Sequence, residues 1–140
     1  MPQPITRNII NDDLSGRMTG TSTVQGSPIA AAAETIIATI NLPNFGDTVM
    51  TAGVRLQGMA AFTVGTNGTA ATLRIRKTDV NGTVIVSSGA LTVTAANLYC
   101  PSVLGADAAP GVGTYVLTLQ ITNGSANTTV SAVHLSEIFI

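Results

Sequence analysis

Tryptophan is absent from this sequence, and cysteine and histidine occur once each, as Cys100 and His134. A single cysteine excludes a disulfide within the chain and a cysteine cluster for zinc. A single histidine makes any metal site depend on Asp, Glu or Cys partners converging on it. Charge is scarce too: 9% of residues are charged, against roughly 25% in ordinary soluble proteins. Poverty of charge can signal a membrane, but no apolar run approaches the ~18 residues that a spanning helix needs. Disorder is excluded for most of the chain, because 45% of residues are hydrophobic and the net charge is only -1. A chain with so little charge either hides surface against partners or covers itself with Thr, Ser, Asn and Gly. The opening Met1-Pro2-Gln3-Pro4-Ile5-Thr6-Arg7 lacks the basic start and apolar core of a signal peptide. The expectation is a protein made to stay, or to assemble, inside the cell. The Asn-x-Ser/Thr triplets at Asn67, Asn81, Asn123 and Asn127 then read as turn chemistry.

What the chain does have is alternation. Tyr115, Leu117, Leu119 and Ile121 recur every second residue, with Thr118, Gln120 and Thr122 between them. That period places one set in a core and the other toward water. Asn123 to Asn127 reverses the chain, and a run rich in Thr, Val, Ile and Phe follows to Ile140, predicting a long closing hairpin. A lone hairpin is only marginally stable, so other strands must cover it.

Earlier segments repeat the pattern. Glu34 to Ile40 reads as a strand, and Val54, Leu56, Gly58, Ala60, Phe62 and Val64 share one face of the longest alternation. Arg55, Gln57, Met59, Ala61 and Thr63 share the other, and Gly58 marks a bulge or a close backbone approach. Leu73 and Ile75 face in, while Arg74 and Arg76 face out. Val80-Asn81-Gly82-Thr83 predicts a two-residue hairpin turn with positive φ at both central positions. Thr83–Val86 and Ala90–Thr94 are further strands, Asn97–Pro101 begins a loop, and Ser102–Gly113 is the longest late connection. About seven or eight strands with turn signals every 8 to 12 residues predict an all-β antiparallel sandwich or jelly roll. It spans residues 29–140, with a core of Val, Leu, Ile and Ala.

Residues 1–28 differ, because Pro2, Pro4, Gly16, Gly20, Gly26 and Pro28 interrupt any period. The segment is a flexible tail or an arm that orders on a neighbour. Ile5, Ile9, Ile10 and Leu14 exceed what a spacer requires, and Arg7, Asp12, Asp13 and Arg17 can fix a register by charge pairing. These eight residues are the candidate partner-binding set.

Catalytic chemistry is hard to assemble. Cys100 with His134 as base is a conceivable nucleophile pair, but no motif surrounds it, and a small buried thiol is the expectation. His134 faces away from Val133 and Leu135, toward surface or interface, with Glu137 on the opposite face. The acids are scattered, unlike the flanking pair of a glycosidase. Gly105–Gly113 is glycine-rich but precedes a strand, without the helix N-terminus of a phosphate loop. Arg74, Arg76 and Lys77 form a basic cluster, without interleaved aromatics and at pI near 5.6. That argues against nucleic acid and for pairing with an acidic partner surface, or with Asp79 and Glu137. The expectation is no enzyme, no cofactor, no metal and no membrane. Apolar residues on nominal outer faces, such as Met59, Ala61 and Val116, predict a homo-oligomer.

The stretch Pro110 to Gln120, a polar turn, and Thr129 to Ile138 also resembles the small β-sandwich or jelly-roll structural proteins of tailed bacteriophages. Those proteins serve as capsid decoration (cement) proteins or as tail-fibre heads, typically as homotrimers. The resemblance implies a non-enzymatic virion protein on the capsid surface, assembled in the host cytoplasm. Its partners would be further copies of itself and the major capsid protein. The alternative it implies is a fibre head recognising a host surface glycan. It contributes no catalytic residues.

Overall fold

The computed structural model describes residues 18–29, 32–41, 53–108, 114–123 and 127–139. In chain order the strands are β1 (Met18–Thr21), β2 (Thr35–Asn41), β3 (Val54–Thr63), β4 (Ala70–Lys77), β5 (Val84–Ser87), β6 (Leu91–Thr92), β7 (Leu98–Tyr99), β8 (Ser102–Asp107), β9 (Thr114–Thr122) and β10 (Thr129–Phe139). No helix occurs among the described residues. All pairings are antiparallel.

The first sheet runs β1-β10-β3, and β7 and β8 share the outer edge of β3. The second runs β2-β9-β4, and β5 and β6 share the outer edge of β4. Each shared edge is one strand interrupted, at Cys100-Pro101 in the first sheet and at 88–90 in the second. Counted that way, two four-stranded sheets face each other, and every change of sheet carries the chain across the core. The chain visits first, second, first, second, second, first, second and first sheets in turn. That path is a jelly roll.

The core is the inner faces of both sheets. Val54, Leu56, Ala60 and Phe62 from β3 meet Leu73 and Ile75 from β4, and Tyr115, Leu117, Leu119 and Ile121 from β9. All are buried, as the period of two predicts. Gly58 is a close approach and not a bulge: a Cβ there would lie 2.6 Å from Leu117 Cδ1 across the core. The register shift in this sheet falls on β10, between Val130 and Ala132.

Four expectations change. The closing segment is no hairpin: β9 bonds to β2 and β4, whereas β10 bonds to β1 and β3. The two strands lie in opposing sheets and do not pair with each other. Alternation tells which side chains need a core, but not which strand supplies the hydrogen bonds. The turn near Asn81 is wider than two residues, with 78–83 joining β4 to β5. Thr78 takes the positive φ (78°), and the Asn81 N–H donates to Asp79 Oδ1 (2.8 Å) while the Gly82 N–H donates to Asp79 O (3.0 Å). Glycine is needed at 82 because a Cβ would fall 1.6 Å from the Lys77 carbonyl oxygen. Asn67 (φ 66°), Asn123 (56°) and Asn127 (142°) do adopt the positive φ expected of turn residues.

The third change is β8, which occupies part of the stretch read as a connection; Gly105 and Ala106 mask its alternation, yet Val103 is buried and its register with β3 is unbroken. Gly105 sits close under Val86 (2.8 Å from a Cβ to Val86 Cβ), so a small residue is required where the sheets converge. The fourth is Val116, named above as an exposed apolar residue, which is only 2% exposed between Thr39 and Arg76 in register. Within the segment assigned to the arm, Met18–Thr21 pairs with β10, and Ile29 bridges to Thr128. Ile5, Arg7, Ile9, Ile10, Asp12, Asp13, Leu14 and Arg17 lie outside the described residues.

Candidate interaction face

The outer faces of the two sheets have opposite chemistry. On the second, Arg74 and Arg76 project from β4 beside Thr118 and Val116 of β9. Both reach Glu34, which lies just before β2. Arg74 Nη1 contacts Glu34 Oε1, and Arg76 Nε lies 2.7 Å from Glu34 Oε2. Arg74 Nη1 also donates to Gln120 Oε1 (3.1 Å), and Arg76 Nη1 donates to the Gly82 carbonyl (2.8 Å). Glu34 is 11% exposed, so this is a covered clamp tying β2 and β4 together over β9. Lys77 pairs instead with Asp107 Oδ2 at 3.0 Å. The partners of the basic cluster are therefore Glu34 and Asp107, in place of the expected Asp79 and Glu137; residues distant in sequence meet because β2, β4 and β8 converge.

Asp107 also accepts a hydrogen bond from Tyr115 Oη (2.6 Å). Burial raises the Tyr115 phenol well above its usual range, and the Asp107 and Glu137 carboxylates push it further. Glu137 is on the inner face of β10, opposite in orientation to His134, and is fully buried. At the other end, the Thr94 N–H donates to Tyr99 Oη (2.9 Å) and lowers that phenol. The Tyr99 ring faces inward against Phe62, with centroids 6.1 Å apart. Among the described residues no three His, Cys, Asp or Glu side chains group as metal ligands.

The first sheet's outer face mixes apolar with uncharged polar side chains and carries one arginine. Its rows, read across β10, β3 and the β7/β8 edge, are Ile138–Arg55–Ala106, Ser136–Gln57–Leu104 and His134–Met59–Ser102. Ala132 and Ala61 pair next, and Leu98 stands opposite Thr63 beyond them. Met59 is 40% exposed, Leu98 62%, Leu104 70% and Ile138 36%. Among the described residues, Arg55 is the one formal charge on this face. Between the rows, Met59, Ala61, Cys100, Ala132, Val133 and His134 line a shallow depression of about 100 Å³ with an apolar wall. Ala61 and Ala132, two of its lining residues, pair beside the β10 register shift.

The structure thus brings together Cys100 and His134, which the sequence paired only as a conceivable nucleophile and base. Cys100 is exposed, not buried. Pro101 interrupts the edge strand beside it and leaves the thiol outside the ladder. Leu98 and Leu104 were missed because their stretches read as loop; the signal was the Ser102-Val103-Leu104 alternation, cut short by Gly105.

No family model and no curated protein matches the chain. Solved structures do. A chain of the T13 particle of infectious bursal disease virus aligns with a TM-score of 0.59 at 10% identity, covering 89% of this chain and 32% of that one. The VP2 subviral particle of the same virus gives 0.54 at 11% identity, with coverage of 89% and 32%. The likeness is one of fold. This chain spans about a third of the length of those proteins.

Proposed function

We propose that this chain is a non-enzymatic virion structural protein, a decoration (cement) protein that binds the outer surface of a tailed-bacteriophage capsid. The observation that carries the reading is the outer face of the first sheet, with Met59, Leu98, Leu104 and Ile138 exposed on it. Apolar patches rimmed by polar residues mark contacts with other proteins. The charges of the second sheet are paired within the sandwich, by Arg74 and Arg76 with Glu34, and the first sheet's outer face is the surface offered to partners. A jelly roll shared with particle-forming proteins, the scarcity of charge and the phage-like closing segment support the same role. The partners are further copies of the chain and the major capsid protein, met in the host cytoplasm during assembly. Residues 1–17, with Ile5, Ile9, Ile10 and Leu14, supply the docking arm.

Purified particles test this. Quantifying the protein against the major capsid protein should give a fixed, capsid-wide stoichiometry, and particles lacking it should open at lower temperature. A few copies confined to the tail tip would instead mean a fibre head that recognises a host glycan. Absence from particles overturns the reading.

A further inference from the structure

The first sheet's outer face has a shape as well as a chemistry. Leu104, its most exposed large side chain, projects from β8 opposite Gln57. The depression around Met59 and Ala61 begins two residues further along β3, about 7 Å away. A knob and a hollow side by side on one flat face are self-complementary about a two-fold axis passing between them, near Ser102. Charge agrees with this arrangement. With Arg55 at the Ile138–Ala106 end of the face and no acid among its described residues, a charged partner would leave its own charges unpaired here. A second copy brings one charge, Arg55, and a two-fold axis near Ser102 sets it over the Thr63–Leu98 end of its partner, at the edge of the contact, where it can reach water. Ten residues of β3 by the three strands of these rows project about 480 Å² before side-chain relief is counted, toward the ~600 Å² per partner at which stable interfaces begin.

We propose that two copies of this chain pair through the outer faces of their first sheets, the Leu104 side chain of each entering the Met59–Ala61–Cys100–His134 depression of the other. The two sheets then lie face to face in aligned packing, about 10 Å apart. The contact is isologous, which makes the building unit a two-fold pair in place of the three-fold ring implied by the phage resemblance. Cys100 stands on the rim of the hollow, against the partner's Leu104. The pairing assigns this face to a second copy and leaves capsid contact to residues 1–17; it is read on the isolated chain, whereas the capsid reading is tested on particles, so either can fail without the other.

Light scattering on the purified chain at micromolar concentration should give twice the 14.2 kDa chain mass. Leu104→Asp should return it to the monomer mass and keep one cooperative melt, lower only by what pairing adds and no longer dependent on protein concentration, since the side chain is mostly exposed in one copy. Val84→Asp, at an exposed apolar position on β5 of the second sheet, should leave the pair intact. Leu104→Cys should form an intermolecular disulfide with the partner's Cys100 under mild oxidation, and lose it when combined with Cys100→Ser. A monomeric wild type, dissociation by Val84→Asp equal to that by Leu104→Asp, or a dimer that yields no such cross-link would each overturn the proposal.

Discussion

Gly58 and Leu117 approach each other across the core of the sandwich, and each constrains the other. Adding a methyl group at Gly58 meets a fully buried Leu117 side chain 2.6 Å away, so Gly58→Ala should destabilise by about 1–3 kcal/mol. Leu117→Ala should cost about 2–5 kcal/mol through the cavity it leaves. The two together should cost clearly less than their sum, because the second opens room for the first. Denaturant titrations of the four proteins check this, and strict additivity would mean the side chains do not compete for one space. Tyr115 gives a second residue-scale prediction. Its phenol is raised by burial and by Asp107 and Glu137, so the folded state resists deprotonation that the unfolded chain accepts at about pH 10. Stability is therefore full below that pH and falls as pH rises beyond it. Tyr115→Phe should flatten this alkaline decline while losing the Asp107 hydrogen bond, as read by thermal melts from neutral to alkaline pH. At this scale the sequence was legible for the core, because Leu56, Phe62, Leu73 and Leu119 obey one period. It was not legible for Cys100 or Gly82, whose settings depend on where Pro101 breaks an edge and where the Lys77 carbonyl points.

Strands were easier to read than their neighbours. Long alternations such as β3 and β9 announce themselves, whereas β8 hides behind Gly105 and Ala106, residues that strands ordinarily disfavour. Which strand pairs with which is not encoded locally: β9 and β10 show the alternation of a hairpin, yet they lie in different sheets with the same kind of inward faces. The interaction face was half legible. Met59 and Ala61 stand out on β3, but Leu104 and Leu98 join them only when the edge strands are known. Across the second sheet, Glu34 links two arginines of β4 to the start of β2. Glu34→Gln keeps the shape and removes the charge, and should destabilise by about 1–3 kcal/mol as two part-buried guanidinium groups lose their counter-ion. Urea melts at neutral pH read that loss. A change below experimental error would make the clamp incidental to holding β2 in place.

At the scale of the molecule, of the strand pairings described, β4 with β5 alone joins two consecutive strands. Every other pairing spans a detour, and β1 with β10 brings Met18 opposite Ile138. Such distant closures must be completed before the contacts they create can offset the entropy lost in making them. Refolding from denaturant is accordingly expected in milliseconds to seconds, in the slow range of non-local β topologies, and stopped-flow fluorescence of Tyr99 and Tyr115 can time it. β10 lies between β1 and β3 yet is the last of these strands to be synthesised. β3 can join β7 and β8 before then, but β1 pairs with β10 alone. The first described strand to be made is therefore among the last to gain a ladder.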